Sequence, residues 1–449
     1  MAVSGTLVTP SRVKMASDPI HDNAGRGLRT RHHARYRYGV TSGAPDTATR
    51  IAMLSLHTSP LAQPGSGDSG GMNVYIRELV GHLAHTGATV HVYVRAWHPD
   101  LPAEVQLEPG VRVVHIPAGP YDLEKEELYD IVDEFADKVQ ADIIEQGGVD
   151  VLHANYWLSG VAGHRIKHRL DVPLVTTFHT LARVKAETGD HEPERRAHAE
   201  AEVIACSDAV TASCVAEANW LRRLYDTPPE RISFVVPGVE HAIFSPGMQS
   251  AAREAVGLQD KPTVLFVGRI QPLKGVSVAA EALGRMKNKD AQLVIVGGPS
   301  GREGEQELAL VKQAIARHGL QARVRFEKPV PHHLLSSWYR AADICIVPSR
   351  SESFGLVALE AAACGTPVVA SSVGGLLTLV DHGKTGFLVA GRDPSVFATY
   401  MDQIFSHPML AAELAMASFE RAQNYRWLDT ALHLRELYAH LASRKPVSC

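Results

Sequence analysis

Two glutamates, Glu352 and Glu360, stand eight residues apart in SRSESFGLVALEAAACGTPVVAS (349 to 371), directly after the apolar run DICIVPS. The spacing places Glu352 in the turn after a strand and Glu360 about two turns along the helix that follows. Ser353, Phe354, Gly355 and Leu356 open that helix, so their free amides and the positive end of its dipole face an anion. Two carboxylates fixed at different heights can accept hydrogen bonds from a sugar and from a ribose. Upstream, VGRIQPLKG (267 to 275) brackets a tight turn with Arg269 and Lys274. Such a pair can clamp a diphosphate, the arginine as a bidentate donor and the lysine as a point charge. A third stretch, GSGDSGGMNVY (65 to 75), carries Gly65, Gly67 and Gly70 on the spacing G-x-G-x-x-G, with Gly71 beside them. A phosphate, a dinucleotide and a plain turn all suit glycines this dense. Nearby, His57, Asp68 and Asn73 offer hydrogen bonds to ligand hydroxyls, and the amides around Gly71 lie at a helix N-terminus suited to phosphate.

The elements that must position these groups follow from hydrophobic pattern. IAMLSL (51 to 56), TVHVYV (89 to 94), VRVVHI (111 to 116), DVLHAN (150 to 155) and PLVTTFH (173 to 179) are short apolar runs, separated by helical stretches such as EELYDIVDEFADKVQADIIEQ. Strands alternating with helices of this length predict parallel βαβ units. RISFVVPGVEHAIFSPG (231 to 247), rich in proline and glycine, reads as a linker, and the pattern restarts after it with TVLFVGR, AQLVIVGG, VRFEKPV, ADICIVPS and TPVVAS. The expected fold is α/β, with two Rossmann-like doubly wound domains facing each other across a cleft. Their bounds are 51–238 and 239–426, with a C-terminal helix over 427–449 packing back on the first domain. Residues 1–50, basic and without apolar periodicity, read as a disordered tail.

Composition narrows the function. A formal net charge of -4 lacks the global basic footprint of a nucleic-acid binder. No run approaches the roughly 18 to 20 apolar residues of a membrane span, and no continuous apolar h-region marks a secretory signal, so a cytoplasmic protein is expected. Cys206, Cys214, Cys345, Cys364 and Cys449 form no C-x-x-C pair and read as reduced thiols, with neither a disulfide framework nor a zinc site. His332 and His333 read as a solvated loop. A dinucleotide oxidoreductase fits poorly: HTSPLAQP separates the glycines from the first strand, and the second strand ends at Arg95 rather than at an acid.

Taken together, HTSPLAQPGSGDSGGMNVY, VGRIQPLKG and SESFGLVALEAAACGTPVVAS resemble the retaining GT-B glycosyltransferases of family four, whose motif is E-x7-E. AGPYDLEKEEL, HANYWLSG and FHTLARVKAE narrow the resemblance to the branch acting on inositol phosphate at the start of mycothiol synthesis. The likeness runs from about Ile51 to the C-terminal helix. It implies UDP-N-acetylglucosamine as donor and 1D-myo-inositol 3-phosphate as acceptor. Arg269 and Lys274 would hold the diphosphate, Glu360 the ribose and Glu352 the sugar hydroxyls, with Gln63, Pro64, Gly71 and Val330 along the donor and His179 touching its sugar. Arg269, Lys274, His179 and Glu352 would be the catalytic set. His57, the segment Asp68, Ser69, Gly70, Gly71, Met72 and Asn73, and Lys125, Tyr156, Thr180 and Arg196 would form the acceptor pocket. The resemblance further implies a homodimer and allows a structural Mg²⁺ at main-chain oxygens of Tyr339, Arg340 and Ala342 with Thr366, while catalysis needs no cofactor. Val330 and Asn155 depart from the family pattern, which expects arginine and histidine there. The nearest alternatives are a sucrose-phosphate synthase and a phosphatidylinositol mannosyltransferase. The latter calls for a basic amphipathic patch that the N-terminal half does not show. A sugar-nucleotide sensor should lack one of Arg269, Lys274, Glu352 and Glu360, and all four are present.

Overall fold

The structure, a computed structural model, describes residues 49–65, 67, 69–190, 192–301 and 303–449. Asp68 and residues 1–48 of the expected tail lie outside the described residues. Arg50, assigned above to the tail, opens the first strand instead, and its amide donates to Asp150 Oδ2 at 2.7 Å.

Fourteen short strands form two sheets among the described residues. The first contains β1 (Arg50–Leu54), β2 (Thr89–Arg95), β3 (Glu104–Glu108), β4 (Val111–Ile116), β5 (Val151–Asn155), β6 (Leu174–Thr177), β7 (Ala209–Ala212) and β8 (Ile232–Phe234). Their order is β3-β4-β2-β1-β5-β6-β7-β8, and only β3 runs antiparallel to its neighbour. The second contains β9 (Thr263–Val267), β10 (Gln292–Val296), β11 (Val324–Glu327), β12 (Ile344–Val347), β13 (Val368–Ser371) and β14 (Gly386–Val389), all parallel, in the order β11-β10-β9-β12-β13-β14. Strands buried on both faces explain the continuous apolar runs. In each sheet the order reverses beside the first strand, between β1 and β5 and between β9 and β12. A ligand crevice opens at such a reversal, outside the strands' carboxyl ends.

The structure differs from the sequence reading in four places. β3 (EVQLE) escaped it because it is polar and half-exposed, which hides an apolar pattern; β7, β8 and β14 escaped it too, although β6, β11, β12 and β13 are no longer than four residues and were found. β8 lies inside the segment taken as a linker, since the prolines and glycines after it dominate the composition there. The pair His332 and His333 belongs to a short 3-10 turn, with His332 half-buried against Glu360 rather than solvated. Finally, Cys206 and Cys449, separated by 243 residues, are joined as a disulfide, whereas Cys214, Cys345 and Cys364 are free and buried.

The helix Trp427–Ala442 completes the first sheet. Trp427, Ala431, Leu434 and Tyr438 are buried in one cluster with Ile51, Val151 and Val175, and Tyr438 Oη lies 2.5 Å from His153 Nδ1. The chain therefore crosses between the sheets twice, and the crossings touch: Val239 pairs with Arg426. A side chain on Gly238 would start 2.2 Å from the Trp427 amide nitrogen.

Candidate active site

The loops after β9 and β12 build an anion site. Gly275 has φ +73, and a Cβ there would lie 2.3 Å from the Pro348 carbonyl, so only glycine lets the first loop turn against the second. That approach brings Lys274 Nζ to 2.7 Å from Glu352 Oε2, which also accepts from Ser349 Oγ at 3.2 Å. Gly355, at φ +105, opens the helix Leu356–Ala363 and leaves the amides of 353–356 at its start. Glu360 is buried one helical face away, accepting from Tyr339 Oη at 2.7 Å and lying 2.7 Å from His332 Nε2. Burial opposes a charge on His332, but the Glu360 carboxylate outweighs it and raises the imidazole pKa above 6.5.

Opposite stands a cluster on the loops after β1, β4, β5 and β6 and on the helix Glu194–Cys206. Tyr156 is its centre: the His57 ring is 4.3 Å away, Lys125 Nζ is 5.1 Å over the phenol ring and the Arg196 guanidinium 5.0 Å. Arg196 also donates at 3.0 Å to the Thr180 hydroxyl, while Glu200 at 2.8 Å and Glu192 at 2.9 Å brace its other nitrogens. Tyr156 and His179 hold positive φ values, +76 and +60, a strained backbone typical of sites fixed by their surroundings. His179 Nε2 donates to Asn155 Oδ1 at 2.9 Å, and burial depresses its pKa to about 3. His57 is likewise held neutral, by burial first and then by Lys125, His179, Arg196 and Arg269; its buried Nδ1 has no protein partner.

The glycine segment lies between the two clusters. A side chain on Gly70 would meet Arg269 Nε at 3.3 Å, so the missing Cβ lets the guanidinium reach the loop. Gln63 Nε2 donates to the Pro329 carbonyl at 2.9 Å, the Ser300 hydroxyl donates to Gly67 O, and the Ser353 hydroxyl donates to His179 O. The open cleft measures about 1540 Å³ and is lined by Pro64, Gly70, Gly71, Met72, His57, Lys125, Tyr156, His179, Thr180, Arg196, Arg269, Lys274, Val330, Glu352 and Glu360. Ser69 and Asn73 are not in that lining. Asn73 accepts from the Gly70 amide at 2.8 Å and donates to Thr58 Oγ1 and Ser59 O at 2.6 Å each, so it fixes the loop rather than offering its amide to a ligand. His332 is the residue that sequence reading missed, for nothing in HH signals a partner 28 positions away.

Tyr339, Arg340, Ala342 and Thr366 also come together. Thr366 Oγ1 donates to Tyr339 O at 2.6 Å and the Ala342 amide to the same carbonyl at 3.2 Å. Both lone pairs of the Tyr339 carbonyl are thus engaged, and the Ala342 carbonyl accepts from Gln249 Nε2 at 3.2 Å, so a cation there would have to displace these donors.

Comparison with known proteins decides the family. The model for Glycosyltransferase Family 4 matches residues 69–243, and that for Glycosyl transferases group 1 matches residues 248–421. The D-inositol 3-phosphate glycosyltransferase of Thermobispora bispora is 44% identical over 88% of this chain and 95% of its own length. The chain belongs to the D-inositol 3-phosphate glycosyltransferase family. Another member, from Frankia alni, is 46% identical over 88% of this chain and its full length. Among solved structures, sucrose-phosphate synthase from Thermosynechococcus elongatus is 31% identical with TM-score 0.83, covering 88% of this chain and 99% of that one. Anabaena HepE, solved with UDP and glucose, shares the fold at 19% identity and TM-score 0.71, over 88% of this chain and all of its own. The glycosyltransferase thus has the GT-B architecture, two Rossmann-like halves about a cleft. No helix among its described residues is long and apolar enough to cross a membrane.

Proposed function

We propose that this glycosyltransferase moves N-acetylglucosamine from UDP-N-acetylglucosamine to 1D-myo-inositol 3-phosphate with retention, the step that opens mycothiol synthesis. The observation that carries the reading is the facing of two sets across one cleft. Arg269, Lys274 and the amides of 353–356 suit a diphosphate, while Lys125, Tyr156 and Thr180 suit a phosphorylated polyol. Arg196, already braced by Glu192 and Glu200, orients Thr180 and Tyr156.

Lys274 and Glu352 neutralise each other before the donor enters. On binding, Lys274 turns to the diphosphate and Glu352 to the sugar hydroxyls, with Glu360 on the ribose. Glu352, held by Lys274 and Ser349, serves as a hydrogen-bond acceptor rather than as the nucleophile of a double displacement. Attack is on the same face. The leaving β-phosphate accepts the proton of the inositol 1-hydroxyl as the glycosidic bond breaks, and Arg269, Lys274 and the helix amides stabilise its charge. His179, neutral, hydrogen-bonds the transferred sugar. A Mg²⁺ at Tyr339, Arg340, Ala342 and Thr366 would be structural, supporting Tyr339 where it donates to Glu360. The enzyme is taken to be cytoplasmic and homodimeric.

UDP release by the purified protein, measured with UDP-N-acetylglucosamine and either 1D-myo-inositol 3-phosphate or unphosphorylated inositol, tests the reading. Release that depends on the phosphorylated acceptor is expected; release at the same rate without any acceptor overturns it. The similarity to sucrose-phosphate synthase favours one second reading, which UDP-glucose with a ketose phosphate in the same assay separates from the first.

A further inference from the structure

Outside the cleft, four side chains of metal-ligand type converge from three parts of the chain. His164 and His168, four residues apart, lie on one face of the helix Trp157–Leu170. Cys206 is the last residue of the helix Glu194–Cys206, and Cys449 comes from the segment after the helix Trp427–Ala442. Their two ring nitrogens and two sulfurs all lie within 4.8 Å of one another. His168 Nε2 is 3.1 Å from each sulfur, and His164 Nε2 is 3.5 Å from Cys449 Sγ. In a tetrahedral zinc site, with Zn–S about 2.3 Å and Zn–N about 2.0–2.1 Å, sulfur and nitrogen stand about 3.6 Å apart.

Buried polar contacts position the set. Lys167, between the two histidines, donates to the Cys206 carbonyl at 2.6 Å and to Asp208 Oδ2 at 2.7 Å. The other oxygen of Asp208 accepts the Val447 amide at 2.6 Å, which delivers Cys449 to the cluster. One carboxylate thus registers both cysteine-bearing segments.

We propose that His164, His168, Cys206 and Cys449 form a redox-gated site for a thiophilic divalent cation of the Zn²⁺ class. In a reducing compartment, a cysteine pair flanked by two histidines is a metal site before it is a structural bridge. The disulfide seen here is the metal-free state of the same residues. Passage between the two states is thiol–disulfide exchange with a small-molecule disulfide. One bound thiolate attacks it and expels a thiolate; the second cysteine then displaces the other half as a second thiolate. One S–S bond forms and one breaks. The cysteines lose two electrons, the two departing thiolates carry them, and the cation is released.

The test uses the full chain, reduced, stripped of metal and titrated with Co²⁺ under anaerobic conditions. Saturation at one ion per chain, with a sulfur-to-cobalt charge-transfer band and the ligand-field bands of a tetrahedral ion, is expected. Excess small-molecule disulfide should bleach both. Cys449→Ser and His168→Ala should each weaken binding by more than the roughly 10–100-fold typical of losing an outer-shell partner. Unchanged UDP release by Cys449→Ser shows that the variant is folded. Absence of the bands at stoichiometric Co²⁺, or bands that persist in folded Cys449→Ser, overturns the proposal.

Discussion

In the 2.7 Å pair between Lys274 and Glu352 each charge compensates the other, and under the proposed function the donor diphosphate draws Lys274 away. Lys274→Ala should cut turnover by roughly 10² or more, the scale of losing one preorganised electrostatic contact to a developing charge. Steady-state UDP release measures it, and wild-type turnover in the variant would contradict the mechanism. The contact between His332 and Glu360 carries a pH signature. Because the folded pKa of His332 lies above 6.5, its stabilisation is complete below pH 6.5 and fades as pH rises through the raised folded value. The difference in unfolding free energy between wild type and His332→Gln, followed by urea denaturation, should therefore shrink with rising pH; a difference that grows would exclude the pairing. At this scale the sequence was informative where function coincides with a loop at a strand end. Arg269, Lys274 and Glu352, in loops at strand ends, and Glu360, in the helix that follows, do line one cleft, as their spacing led us to expect. Asn73 was not legible, because three short hydrogen bonds to Gly70, Thr58 and Ser59, visible only in the folded loop, turn it inward.

Among the elements, the helix Leu356–Ala363 depends most on one residue. Gly355 holds φ +105, and a Cβ there would lie 2.8 Å from Leu376 Cδ2. Gly355→Ala should cost about 1–3 kcal/mol in backbone strain and displace the amides proposed to face the diphosphate. Calorimetry should find UDP bound at least about tenfold more weakly, the equivalent of some 1.4 kcal/mol; unchanged affinity would remove these amides from the donor site. β1, β2, β4 and β5 are apolar runs of five to seven residues and were found, whereas β8 has three residues and is followed by VVPGVEHAIFSPG. Composition reports the longer neighbour and hides the shorter strand.

On the scale of the whole molecule, three neutral histidines lie in the first sheet or just past its carboxyl ends. Burial drives His153 and His179 to about 3 and holds His57 well below 6.5. The unfolded chain binds protons at these positions that the native chain does not, so stability is intact above pH 6.5 and falls as pH drops from 6.5 toward 3. Each group contributes up to about 1.4 kcal/mol per pH unit in that window. Thermal melts from pH 7 to pH 4 should show the decline, and His153→Gln should flatten it; a melting temperature that rises on acidification would refute the assignment. Two Rossmann-like halves were readable from the restart of the strand pattern, but the Cys206–Cys449 contact was not, since pairing across 243 residues leaves no local trace. The same long return of the chain, with Trp427, Leu434 and Tyr438 seated against β1, β5 and β6, bears on biosynthesis. The half made first on the ribosome lacks part of its own core until the half made second has emerged, so the two halves finish folding together however early the first is synthesised.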